Sequence, residues 1–466
     1  MAGSIAHVKT PAHLFAAALL AFALAGCGGG ESGTTGSVPA TGSVPGSGGS
    51  AAQSCSLLDQ KLWLREHFRT QYLWTGLSSN PPPGGSEESL EAYFQSLLFT
   101  GNADFPRDRF SGFGSLSAFT QYYDEGEELG YGLAVAGQEI FGQPDQPLYI
   151  RYLEPKGPAA RAGLARGDRV LEINGVSAAE RLVSRDFNAL LAQAEGDRLS
   201  LVVERAGVGR WSLSLSASVY AVAPVQFARQ LRTPQGRRVG YVYLHSFTQQ
   251  ARDPLYSTLA GWVSGGLEEL IVDLRYNSGG LVEVSRFVGA LVGSSRTVGK
   301  VFAELRHSAA NARLNETYRF DDPLGWTGLK RVYVLTGMRT CSASEQLVSG
   351  LRGAGIEVVT VGGTTCGKPV GFTPKPYCDQ IFSVVSFESV NALGQGRYFN
   401  GLSPSCAATD KPVRGFAQQD ESLISVALEH VDTGQCAQHG ALPRSASEAA
   451  PSRDFMRQTG LLPPLD

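Results

Sequence analysis

Apolar residues recur at mixed three- and four-residue spacing in SLLDQKLWLREHFRTQYLW, where Leu57, Leu58, Leu62, Leu64, Phe68, Tyr72 and Leu73 predict a helix. Asn80-Pro-Pro-Pro-Gly-Gly breaks the pattern. SEESLEAYFQSLLF then starts polar and acidic and turns apolar, as helix starts do. Residues 54–125 read as a mainly helical region, a support or lid. Between 126 and 222 the runs shorten to YGLAVA, PLYIRYLE, DRVLEING, LSLVVERA and RWSLSLSA, which predict a β-rich domain. From 223 to 435, strand-like RRVGYVYLHSF, LEELIVDLRYN, KRVYVLTG and IEVVTVGG alternate with helix-like DPLYSTLAGWVSGG, VEVSRFVGALV and SASEQLVSGLRGAG. That alternation predicts a multidomain α/β (α+β) chain with a partly parallel, mixed sheet in its core.

The ends follow other rules. Leu14–Ala25 is an unbroken apolar run, shorter than the roughly 20 residues a spanning helix needs, so it reads as the core of a signal peptide. It closes in Leu24-Ala25-Gly26-Cys27, which resembles the bacterial lipoprotein signal. The resemblance implies removal of residues 1–26 and lipid attachment at Cys27. Residues 27–53 carry one charge, no large apolar residue and two copies of Thr-Gly-Ser-Val-Pro; they read as a flexible tether. Residues 436–466 read as a loosely held, Pro-punctuated extension. The expectation is a membrane-anchored lipoprotein of the cell envelope facing the periplasm, with the outer membrane favoured over the inner.

Charge narrows the partners. Lys plus Arg total 40 and Asp plus Glu 43, a net charge of -3, which leaves no electrostatic footprint for nucleic acid. Export permits disulfides among the six cysteines beyond Cys27. Cys366 with Cys378 and Cys406 with Cys436 are the local pairings expected first. There is no C-x-x-C and no H-E-x-x-H, and the histidines are scattered, so neither a metal nor another cofactor is expected.

Three short blocks follow predicted strands, where ligand sites collect in α/β sheets. They are Asp273-Leu-Arg-Tyr-Asn-Ser-Gly-Gly280, Thr340-Cys-Ser-Ala-Ser-Glu345 and Gly362-Gly-Thr-Thr-Cys-Gly-Lys368. Alone, the first is a turn, the second a capping box and the third a loop ending in a surface lysine. Their order and spacing together resemble the carboxy-terminal processing peptidases, the S41 serine peptidases with a Ser–Lys dyad. The β-rich segment resembles a PDZ domain through Tyr131-Gly132-Leu133-Ala134, Gly157-Pro-Ala-Ala-Arg-Ala-Gly-Leu164 and Gly167-Asp-Arg-Val-Leu-Glu-Ile-Asn-Gly175.

These resemblances imply Ser342 as nucleophile and Lys368, kept uncharged by burial, as its base. Glu345 would orient the pair. Ala343 and Gly279 or Gly280 would supply oxyanion N–H groups. Tyr131, Gly132, Leu133 and Ala134 would capture a protein's carboxy-terminal tail by strand addition. Two positions depart from the family pattern: Cys341 stands where a small Ala is expected, and Pro369 where Gly is usual. They keep open a rival reading, a non-catalytic PDZ-based peptide-binding lipoprotein. A Ser–His reading would have to use His245, and a sugar-binding reading has no aromatic cluster behind it.

Overall fold

The computed structural model describes residues 54–85, 88–137 and 147–436. Cys27, the apolar run before it, the tether and the carboxy-terminal extension beyond Cys436 lie outside the described residues. The expectations of a lipid anchor, a tether and a loosely held extension fall there too.

The amino-terminal region holds α1 (Leu57–Gln71), capped by the Ser56 side chain, and α2 (Leu90–Leu97), capped by Ser89. A strand, β1 (Gly112–Ser115), follows and pairs antiparallel with residues 380–383. Leu64, Phe68, Tyr72, Tyr93 and Phe94 close a mostly aromatic core against Phe382 and Val385.

The second region contains β2 (Glu127–Gly130), β3 (Leu133–Ala136), β4 (Leu148–Leu153), β5 (Arg169–Ile173), β6 (Val176–Ser177), β7 (Arg198–Arg205), β8 (Gly209–Ser216) and β9 (Ser218–Ala221). Its main sheet runs β3-β4-β5-β7-β8, with β3 at one edge. Helix α3 (Ala178–Ser184) covers this sheet through Leu182.

The core begins with β10 (Val225–Arg232) and β11 (Arg238–Leu244), then α4 (Arg252–Ser264), β12 (Glu269–Asp273) and α5 (Val282–Gly293). β13 (Val301–His307), β14 (Glu316–Arg319) and β15 (Arg331–Thr336) lead to α6 (Ala343–Gly353) and β16 (Glu357–Gly362). Short strands β17 (Val370–Gly371), β18 (Lys375–Tyr377), β19 (Gln380–Ser383), β20 (Phe387–Val390) and β21 (Cys406–Ala407) precede α7 (Ser422–Thr433). The central sheet runs β10-β11-β12-β15-β16-β21, parallel except for β10.

Both faces of this sheet are covered, which is why its strands read as continuous apolar runs. Val242, Val272, Val334 and Val358 face α4, α5 and α6; Tyr241, Ile271, Tyr333 and Val359 face α7. A second sheet, β14-β13-β20-β17, flanks α6.

Three disulfides join described residues: Cys55–Cys378, Cys341–Cys366 and Cys406–Cys436. The expected Cys366–Cys378 pairing is therefore corrected, since Cys378 is used by the amino-terminal region and Cys366 by the loop before Ser342. The Cys406–Cys436 pairing is found.

Candidate active site

The turns that follow β11, β12, β15 and β16 meet at the carboxy-terminal ends of the parallel strands. Asn277 organises the first block. Its side chain donates to Leu244 O (3.0 Å) and accepts from Gly279 N–H (2.8 Å); its carbonyl accepts from Cys341 N–H (3.1 Å) and Ser344 Oγ (2.9 Å). Gly279 has φ +116°, and a Cβ there would lie 2.9 Å from Ser342 Cβ. Only glycine lets the two blocks close to this distance. Gly280 forms a parallel bridge with Phe247, through Phe247 N–H to Gly279 O (2.9 Å) and Leu281 N–H to Phe247 O (2.8 Å).

Ser342 precedes the first turn of α6 with φ +55° and ψ −116°, outside the extended region an ordinary N-cap adopts. Its neighbours enforce that conformation. Thr340 Oγ1 donates to Leu274 O (2.8 Å), and Ser285 Oγ donates to Ala343 O (2.7 Å). Ser342 is half-buried, while Ala343, Ser344 and Glu345 are buried.

The third block folds over Glu345. One carboxylate oxygen, Oε2, accepts from Ser342 N–H (3.0 Å) and Lys368 N–H (2.8 Å). The other accepts from Gly367 N–H (2.8 Å) and Thr365 Oγ1 (2.5 Å). Burial pushes this carboxyl above its ordinary range, against the hydrogen bonds from Thr365, Lys368, Gly367 and Ser342. The S-x-x-E spacing thus does more than cap a helix: the same glutamate ties the backbone of Ser342 to that of Lys368. Lys368 is 8% exposed, and its Nζ lies 4.4 Å from the centroid of the Phe372 ring. Pro369 O accepts from Ser389 N–H (2.8 Å), which carries the Lys368 loop onward to β20.

Of the sequence-predicted oxyanion donors, Gly279 directs its N–H to Asn277 Oδ1 (2.8 Å). Ala343 opens α6. His245 does not support a Ser–His arrangement. Its ring stacks on Tyr152 (centroids 4.0 Å apart, planes at 10°), and Nδ1 lies 3.1 Å from Tyr243 Oη. Burial, with Arg151 and Arg339 nearby, lowers it to about 3, so it is a neutral packing residue.

Asn277, Thr340 and Thr365 sit inside the three blocks as supporting residues, whereas Arg109 lies outside all of them. Arg109, from the amino-terminal region, donates to Cys366 O (3.1 Å) and Phe399 O (3.0 Å) and so braces the Lys368 loop from outside the core.

The β-rich segment presents Tyr131–Ala134 at its sheet edge. Tyr131 is buried, and its carbonyl accepts from Ala159 N–H (2.9 Å). Gly132 has φ +68° and abuts Gly157, where a Cβ would come within 2.7 Å of Gly157 Cα. Gly132 O accepts from Glu154 N–H (2.9 Å). Antiparallel alternation then turns the N–H and C=O of Leu133 away from β4, toward the open edge.

This segment is bolted to the core by Arg166. Its guanidinium donates to Tyr276 Oη (2.8 Å), Arg414 O (2.9 Å) and Asp410 (3.3 Å), lies 3.6 Å from Glu421 and covers the Phe416 ring at 4.4 Å. Arg275, from the first block, pairs with Glu421 (2.6 Å) and Asp410 (3.0 Å) in the same socket. Burial works to raise the Glu421 carboxyl, but Arg275 and Arg166 hold it down at about 2.

Residues 238–402 match the family model for Peptidase family S41. Residues 149–205 match that for a PDZ domain. Carboxy-terminal processing protease CtpB of Bacillus subtilis is 24% identical over 326 residues, 69% of this chain and 63% of that protein. Carboxy-terminal processing protease CtpA of the same organism is 25% identical over 253 residues, 54% of this chain and 51% of that protein. The chain thus spans less than two thirds of the length of either relative. A crystal structure assigned as an S41 protease, from Bacteroides fragilis, superposes with a TM-score of 0.63 at 22% identity. It covers 80% of this chain and 97% of that one, a likeness of fold. The three blocks all fall inside the S41 match, and the Arg166 bond to Tyr276 joins the PDZ match to it.

Proposed function

We propose that the chain is a serine endopeptidase of the carboxy-terminal processing type, acting on envelope proteins near their carboxy-termini. The observation that carries this reading is the single buried carboxylate of Glu345, which receives the main-chain N–H of both Ser342 and Lys368. This shared acceptor supports reading the two residues as a Ser–Lys dyad.

In this reading Ser342 Oγ attacks the scissile carbonyl while its proton passes to the uncharged Lys368 amine. The C–N bond then breaks, and Lys368 returns that proton to the departing amine. Water releases the acyl group by the same route. The N–H groups of Ala343 and Gly280 stabilise the oxyanion. Glu345 is a positioning residue. The edge of β3 takes the substrate tail as an added strand, and Leu133 supplies outward main-chain groups for it. A lipid on Cys27, followed by the tether, would hold the enzyme at the membrane.

Ser342→Ala and Lys368→Ala are each expected to reduce turnover of a tail-tagged protein by at least about a hundredfold, given what general acid–base catalysis contributes. A serine-reactive fluorophosphonate should label wild type and not Ser342→Ala. Equal turnover by all three proteins would leave a peptide-binding lipoprotein as the better description.

A further inference from the structure

We propose that Cys341 and Cys366 are positioning residues of the Ser342–Lys368 site, and that their disulfide makes peptide cleavage dependent on oxidation. The inference rests on the peptidase reading above.

The bond's position in the chain is the starting point. Cys341 directly precedes Ser342, and Cys366 lies two residues before Lys368. The disulfide therefore joins the two loops that bear the proposed nucleophile and base, with Cα atoms 5.2 Å apart. The other two disulfides between described residues lie elsewhere: Cys55–Cys378 fastens the amino-terminal region, and Cys406–Cys436 fastens the segment after α7 to the sheet edge.

Glu345 bridges the same two loops by hydrogen bonds, so covalent and polar ties act in parallel. The sulfur of Cys366 lies 3.5 Å from Glu345 Oε2, the oxygen that accepts from Ser342 and Lys368. In the disulfide this sulfur has no proton to give.

Reduction by a small dithiol transfers two electrons and two protons. The S–S bond breaks, Cys341 and Cys366 each gain a thiol proton, and the reductant closes to its own cyclic disulfide. Two changes then coincide. The covalent tie between the loops is lost, and the Cys366 thiol becomes a donor beside the oxygen that orients both loops. Ser342, held at φ +55°, depends on its surroundings to remain there. Cys366 is half-buried, which gives a small reductant access, whereas Glu345 is buried.

The test uses the oxidised full chain, the same protein after dithiol treatment, and the variants Cys341→Ala/Cys366→Ala and Cys406→Ala/Cys436→Ala. Each is assayed for kcat and KM on a tail-tagged substrate and for cooperative thermal unfolding. The expected result is at least a tenfold fall in kcat, with KM within twofold, for reduced wild type and for Cys341→Ala/Cys366→Ala, both still folded. Reoxidation should restore wild type, and dithiol should not alter that double variant further. Cys406→Ala/Cys436→Ala should stay active when oxidised and lose activity on reduction. Ser342-dependent turnover that survives reduction or the Cys341→Ala/Cys366→Ala change would overturn the disulfide's role alone. Oxidised wild type with no Ser342-dependent turnover would overturn the peptidase reading and this inference with it.

Discussion

Glu345 accepts four hydrogen bonds within a buried pocket, and each donor depends on it. Removing an acceptor from a buried donor costs about 1–3 kcal/mol. Glu345→Ala should therefore lower stability by at least that amount, seen as a reduced denaturant midpoint, and abolish turnover. Glu154 makes a different case. It joins β4 to the linker after β9, accepting from Tyr152 Oη and from Ala223 N–H (3.0 Å). Burial pushes its carboxyl up to about 8, so the folded protein holds a proton there that the unfolded chain releases near pH 4.5. This contribution to stability is complete below about 4.5 and is lost as pH rises through about 8. Glu154→Gln should flatten stability across that window, and an unchanged pH slope in the variant would reject the assignment.

At the scale of elements, the site depends on how closely the turn after β12 approaches the start of α6. Gly279→Ala places a methyl group 2.9 Å from Ser342 Cβ at a φ of +116°. The strain should cost about 1–3 kcal/mol, and kcat should fall more than tenfold as Ser342 is displaced. Near-normal kcat would show that the close approach is dispensable. The elements that bring these turns together were legible in the sequence because β11, β12, β15 and β16 are buried on both faces and α4, α5 and α6 follow them in alternation. The second sheet was not. β17 has two residues and β20 four, too short for periodicity to register, although Val301–His307 does alternate in part. Ser342, Glu345 and Lys368 were legible as blocks of motif. Asn277 and Thr365 lie in those blocks but their supporting roles were not legible, and Arg109 lies in none, because a residue that donates to or accepts from main-chain atoms has no required spacing. Cys55–Cys378 and Cys341–Cys366 were missed for a related reason: distance along the chain carries little information about which cysteines meet in space.

Across the whole molecule, the PDZ segment and the core share a buried charge network. Arg166 enters a socket made by Tyr276, Asp410, Glu421 and Phe416. Removing one partner from a buried pair typically costs about 3–5 kcal/mol. Arg275 still serves Asp410 and Glu421, so Arg166→Ala should fall near the lower end of that range in chemical denaturation. A loss below about 1 kcal/mol, the level of an exposed pair, would mean that the socket is wet in solution.

The bond between residues 55 and 378 has a mechanical corollary. It turns nearly the whole folded body into a covalent ring, so tension applied ahead of residue 55 passes directly into the hairpin of β18 and β19. The intervening helices and sheets are then spared from being unzipped by that load, and a single backbone cut among them leaves the pieces joined.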